Sequence, residues 1–100
     1  MKGTTVTLVL KILKREPMYG YAIIKEIEVR SNGVFSLKEE TLYPILHDLE
    51  TSGCVEAYCE VFENRRRKYY RITKQGLKML EEKVAQWHIF SQAVGDVLVN

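Results

Sequence analysis

Six cations crowd one short stretch of the chain: Arg65, Arg66, Arg67, Lys68, Arg71 and Lys74, with no acid among them. The preceding stretch, from Glu39 to Glu63, holds seven acids and neither Lys nor Arg. The formal net charge is only +2, so the segregation says more than the balance. A basic run is ordinarily a solvated face. This one is interleaved with Tyr69 and Tyr70 and adjoins a turn, a pattern suited to neutralising nucleic-acid phosphates. Enzymatic chemistry has little to work with. His47 and His88 have no nucleophile at a recognisable spacing, and there is no phosphate-cradling glycine loop and no metal-ligand spacing. No enzyme activity, cofactor or metal is therefore expected. If Cys54 and Cys59 share a strand they stand about 16 Å apart, whereas a disulfide needs Cα atoms within about 7 Å. Two free thiols in a reducing compartment are expected.

The elements that must position these residues read as helix, helix, helix, hairpin, long helix. One hundred residues fit one domain. No cleavable leader and no apolar run of bilayer length is visible, which predicts a cytoplasmic protein with no membrane partner. A first helix over about 5–15 is apolar nearly all round (Val6, Leu8, Val9, Leu10, Ile12, Leu13). Such a helix is buried on more than one side, so it is expected to touch a second subunit as well as its own core. Pro17 ends it. A second helix, from near Tyr19 to about Arg30, turns Ile23, Ile24 and Ile27 inward, and Ser31-Asn32-Gly33 stops it.

The third helix opens on Ser36-Leu37-Lys38-Glu39, which reads as a capping box. Leu42, Ile45, Leu46 and Leu49 make one apolar face, and Glu40, Tyr43, Pro44, His47 and Thr51 occupy the other. Pro44 should bend the axis, and Gly53 ends the helix in the left-handed region. The period then becomes two. Val55, Ala57, Cys59 and Val61 alternate with Glu56, Tyr58, Glu60 and Phe62, a turn follows at Glu63-Asn64, and a second strand covers about 67–72. The last helix starts after Thr73, a good N-cap. Leu77, Leu80, Val84, Trp87, Val94 and Leu98 form a seam of threes and fours, broken only by Ser91. The seam outlasts a three-helix core, so these six residues are read as a dimer interface. An intramolecular core helix is the alternative.

The fold class is thus mainly α with a small β-hairpin. Two helices and a turn, the second helix with a polar outer face and a hairpin wing behind it, make a winged helix-turn-helix. Residues 1–72 would be the DNA-binding domain and 73–100 the C-terminal dimerisation helix, in one compact unit.

Three motifs carry a family likeness: Met18-Tyr19-Gly20-Tyr21 with Ile23; Thr41-Leu42-Tyr43-Pro44 with Leu46, Leu49 and Gly53; and Arg66-Arg67-Lys68-Tyr69-Tyr70 with Thr73 and Gly76. The chain resembles the PadR family of transcriptional regulators, in the short branch with a single C-terminal helix. The resemblance implies a dimeric repressor that binds double-stranded DNA sequence-specifically, with dimer contacts from the last and first helices. By position it places Thr41, Tyr43 and His47 on the recognition helix and Arg65, Arg66, Arg67 and Lys68 on the wing; Lys38, from the capping-box stretch, is expected to bind DNA as well. Tyr43 could donate to a phosphate or touch a thymine methyl; surface packing against the wing is its alternative. Three adjacent arginines at a hairpin tip have no evident packing role. Glu39 and Glu40 suit the helix dipole but repel phosphates. In a homodimer the half-sites should lie about one helical turn apart, ~34–36 Å.

In the multidrug-sensing members of that family a similarly placed tryptophan stacks on flat aromatic compounds between subunits. Trp87 is the corresponding residue, and Phe90, Val9 and Ile12 could line the same space around a small aromatic effector. Interface packing is the alternative for Trp87. The rival to DNA binding is a winged helix that docks a protein partner, a reading favoured by the acidic stretch.

Overall fold

The computed structural model describes residues 2–99. The order of elements is α1 (Lys2–Arg15), β1 (Met18–Tyr19), α2 (Gly20–Arg30), α3 (Glu39–Thr51), β2 (Val55–Phe62), β3 (Arg65–Ile72) and α4 (Lys74–Val99). The strands form one antiparallel sheet in the order β1-β3-β2. None of these helices is long and apolar enough to cross a membrane.

A single core draws its buried side chains from the four helices and from β2 and β3, and Met18 of β1 packs against it. Val9, Leu10, Ile12 and Leu13 of α1 meet Ile23 and Ile27 of α2, Leu42, Leu46 and Leu49 of α3, Cys54, Val55, Tyr70, and Leu80 of α4. Each fully buried aliphatic side chain contributes about 1.5–3 kcal/mol. Helix α1 touches α2, α4 and β3, so its all-round apolar character is largely used inside the protomer.

Three local expectations change. Met18 and Tyr19 form a strand paired with Tyr70 and Tyr69, so the sheet has three strands instead of a bare hairpin. The capping box does not form. Helix α3 starts at Glu39 with Lys38 as its extended N-cap residue (φ −102°, ψ 159°) and no side-chain cap. Phe35 and Leu37 pack on the core, which holds the lead-in extended, and the Ser36 hydroxyl donates to Glu28 Oε2 at 3.5 Å. The return strand starts at Arg65, two residues earlier than expected, because Glu63 and Asn64 alone make the turn. Their φ values of 51° and 63° have the signs of a type I′ turn.

The other boundary signals act as read. Gly53 has φ 80°, and the Cys54 N–H donates to Leu49 O at 2.8 Å. At the start of α4 the Thr73 hydroxyl accepts from the Gly76 N–H at 3.1 Å and donates to Gly53 O at 2.6 Å. One side chain thus caps α4 and ties it to the end of α3.

Candidate nucleic-acid interface

The outward side of α3 is a polar crest. Glu40, Pro44, His47 and Thr51 follow one another at steps of four and three, all exposed. Lys38 and Thr41 are exposed near the N-terminus. Tyr43, His47 and Glu50 make a second row, which ends beside the wing where Glu50 meets Lys68. Tyr43 is 43 % exposed, and its ring lies against the backbone of Gly20 at the start of α2. A Cβ on Gly20 would overlap the Tyr43 hydroxyl and come within 2.8 Å of Cζ. The packing partner of Tyr43 is therefore α2, and its aim depends on the glycine of the Tyr19-Gly20-Tyr21 stretch. The helix N-terminus attracts anions, while Glu39 and Glu40 in the first turn oppose phosphate and could accept from a cytosine amino group.

The sheet register divides the basic run between two faces of the wing. One face pairs Glu56 with Arg71, Tyr58 with Tyr69, Glu60 with Arg67 and Phe62 with Arg65. The other pairs Val55 with Ile72, Ala57 with Tyr70, Cys59 with Lys68 and Val61 with Arg66.

On the first face the Tyr69 ring meets Tyr19 edge-on at 5.6 Å and stacks on Tyr58 at 5.8 Å. Arg67 sits over the Tyr19 ring at 4.4 Å and the Phe62 ring at 4.7 Å. Arg71 covers Tyr58 at 4.7 Å and pairs with Glu56 at 3.5 Å. On the second face Lys68 Nζ lies 3.8 Å from Glu50 Oε1 and 5.6 Å from the Tyr70 ring centroid. This joins the wing to the last turn of α3. Arg65 and Arg66 are exposed and carry no ion pair or ring contact among the described residues. The view that all three arginines lack a packing role is therefore corrected: Arg67 is half-buried between rings, and the unencumbered cations are Arg65 and Arg66.

Tyr70 closes the wing's base and is 4 % exposed. Burial pushes its phenol above the ordinary value, against an opposing effect of Lys68 and with smaller raising effects of Tyr43 and Glu50. Cys54 is buried, Cys59 exposed, and both are free thiols.

The apolar seam of α4 divides in two. Leu80 is 4 % exposed in the protomer's own core, and Val84 packs against that core. These two therefore serve the intramolecular packing that was the alternative. Leu77, at 37 % exposed, is half covered. Beyond them Trp87, Phe90, Val94, Val97 and Leu98 stand exposed.

Trp87 and Phe90, with ring centroids 6.1 Å apart, line a groove of about 250 Å³ with Lys83, Gln86, Thr4, Thr7 and Leu8. Val9 and Ile12 do not line it. They are 0 % and 4 % exposed, on the buried side of α1, and the neighbouring row Thr4, Thr7 and Leu8 faces Trp87 instead. The sequence reading overlooked that row, together with Gln86, Lys83, Gly20, Glu50 and the rings of Tyr19 and Phe62. The spacing of 83, 86, 87 and 90 on one helical face could have shown the α4 side of the groove.

Residues 9–82 match the model of the Transcriptional regulator PadR-like family. A structure of a transcriptional regulator from Clostridium thermocellum superposes with a TM-score of 0.88 at 33 % identity, over 94 % of this chain and 92 % of that one. A PadR family transcriptional regulator from Eggerthella lenta superposes at 0.84 with 41 % identity, over 96 % of this chain and 82 % of that one. An uncharacterised protein of Lysinibacillus sphaericus is 39 % identical over 88 residues, which are 87 % of this chain and 81 % of that protein.

Proposed function

The chain belongs to the PadR-like family of transcriptional regulators, and from that premise we propose that it acts as a homodimeric repressor, reading double-stranded DNA with α3 and gripping the backbone with its wing. The observation that carries the reading is the pairing of an exposed polar crest on α3 with two unencumbered arginines, Arg65 and Arg66, at the tip of the adjacent hairpin. A recognition helix in the major groove positions Lys38, Thr41, Tyr43 and His47 near base edges and phosphates. The tip arginines contribute phosphate neutralisation, which releases counterions and makes affinity fall steeply with salt.

Dimerisation is supported by the outer half of α4. Val94, Val97 and Leu98 are 40 %, 77 % and 79 % exposed, an apolar stripe that a second copy would cover. Leu77 and Trp87 extend that stripe toward the core, whereas Leu80 and Val84 would support it from below. The groove beside Trp87 and Phe90 would hold a flat aromatic effector by stacking, and its occupation would bias the angle between protomers. Quenching of the single tryptophan by planar aromatic compounds, abolished in Phe90→Ala, tests that part.

The deciding experiment is fluorescence anisotropy on a duplex from the protein's own promoter against a scrambled duplex, at two salt concentrations. Tight promoter binding with a steep salt slope and two chains per duplex is expected, together with reduced transcription from that promoter in vitro. A second reading, docking of a protein partner on α3, draws on the exposed acids Glu39, Glu40 and Asp48. Absence of binding to either duplex at low salt would favour it.

A further inference from the structure

We propose that Arg67 is a positioning residue that clamps the wing, and that phosphate contact from the tip falls to Arg65 and Arg66. The inference rests on the DNA-binding reading above and deepens it.

Strand β1 pairs with β3 only at Tyr69 and Tyr70. From Lys68 outward β3 has β2 as its sole strand neighbour, and a two-stranded ribbon in water is marginally stable. The turn gives little help, since both of its residues hold positive φ and neither is glycine. Arg67 spans this weak point. It lies on the middle strand, and its guanidinium covers a ring on each flank: Tyr19 of β1 at 4.4 Å and Phe62, the last residue of β2, at 4.7 Å. Tyr19 immediately precedes α2, so the clamp ties the tip to the helix-turn-helix as well as to the sheet. A planar, weakly hydrated guanidinium suits such stacking, and a lysine ammonium suits it less. To reach a phosphate, Arg67 would have to leave both rings and release the tip that carries its two neighbours.

Salt dependence separates a clamp from a contact. The probe is a random-sequence duplex at low salt, which reports phosphate neutralisation without knowledge of the operator. Arg66→Ala should lower the slope of log K against log salt by about one. Arg67→Ala should weaken binding about three- to tenfold with the slope nearly unchanged. Phe62→Ala, which removes no charge, should do the same, and the double variant should be little weaker than either single. In the free protein, amide exchange at residues 60–67 should quicken in Arg67→Ala and Phe62→Ala and stay at wild-type rates in Arg66→Ala. A slope loss of about one in Arg67→Ala, with tip exchange unchanged, would overturn the clamp. Failure of the wild-type protein to bind any duplex would remove the DNA-binding reading, and the exchange experiment would still decide whether Arg67 holds the tip.

Discussion

Gly20→Ala should leave the protein folded and weaken promoter binding, acting through Tyr43. A Cβ at position 20 would overlap the Tyr43 hydroxyl and lie 2.8 Å from Cζ and 3.2 Å from Cε1. Carbon contacts settle at about 3.5–4.0 Å, so the edge of the ring must retreat by about 1 Å. The phenol is the far end of a side chain 43 % exposed, so it can swing without moving the backbone. Its hydroxyl hydrogen bonds tolerate only about 2.5–3.0 Å, and a shift of that size breaks one made to DNA. A hydrogen bond to a charged group contributes about 1.5–3 kcal/mol, which corresponds to about ten- to a hundredfold in Kd per half-site. Stability should change little. Ala for Gly in a helix favours the folded chain by up to about 1 kcal/mol, and an off-rotamer tyrosine costs about 0.5–1.5 kcal/mol. Anisotropy on the promoter duplex, with thermal unfolding as the control, reads both effects. In a Tyr43→Ala background the glycine substitution should have no further effect on binding. Wild-type affinity in Gly20→Ala, or a loss that persists without Tyr43, would refute the reasoning.

The same substitution at Gly76 should act on stability instead. There the Cβ would overlap the Cys54 carbonyl oxygen and lie 2.7 Å from Ile72 Cγ1. Overpacking against backbone should outweigh helix propensity and cost about 1–3 kcal/mol, lowering Tm by about 4–8 °C per kcal/mol at fixed protein concentration. Replacing Glu63-Asn64 by Asn-Gly matches the positive φ values of 51° and 63° and should raise stability by about 1 kcal/mol, read as a shift in urea midpoint. Val94→Glu with Leu98→Glu charges two exposed positions; on the dimer proposal, sedimentation should show the parent as a dimer and the double variant as a folded monomer at the same concentration. For Tyr70 the folded pKa is raised by burial, so its contribution is complete below the ordinary phenol value of about 10. That contribution declines as pH rises beyond it toward the folded value. Tyr70→Phe should remove this part of the alkaline loss, and parallel pH–stability curves for variant and parent would contradict it.

The sequence shows α3 and the wing plainly because their periods, 3.6 and 2, are each sustained over many residues. Leu42, Leu46 and Leu49 are buried where the pattern puts them. Strand β1 has only two residues, too few to display any period, and it exists because β3 offers it an edge. Ser36 and Glu39 satisfy a capping box in spacing, yet Leu37 between them packs on the core, and burial of that side chain outweighs a cap of about 1 kcal/mol. Arg67 shows the same limit at the functional site. A run of four basic residues looks uniform in sequence, but a strand alternates its faces, so Arg67 goes to the rings of Tyr19 and Phe62 while Lys68 goes to Glu50.

A repeat of apolar residues shows that a helix face is covered without showing by what. Along α4, Leu80 and Leu98 occupy equivalent places in one seam. Leu80 is 4 % exposed and Leu98 is 79 % exposed, because Leu80 joins the core to which α1 and β3 contribute and Leu98 lies outside it. The change from core to open surface falls near Trp87, and there the aromatic groove forms against Thr4, Thr7 and Leu8. If a second copy covers the outer half, the groove sits where intramolecular packing hands over to intermolecular packing. A ligand between Trp87 and Phe90 would then press on both at once. The seam joins that place to α3 through short links: Leu80 in the core, Thr73 capping α4 while holding Gly53, and Gly53 closing α3. A change in how two α4 helices cross would therefore move the α3 crests as bodies, altering the distance between them more than the shape of either.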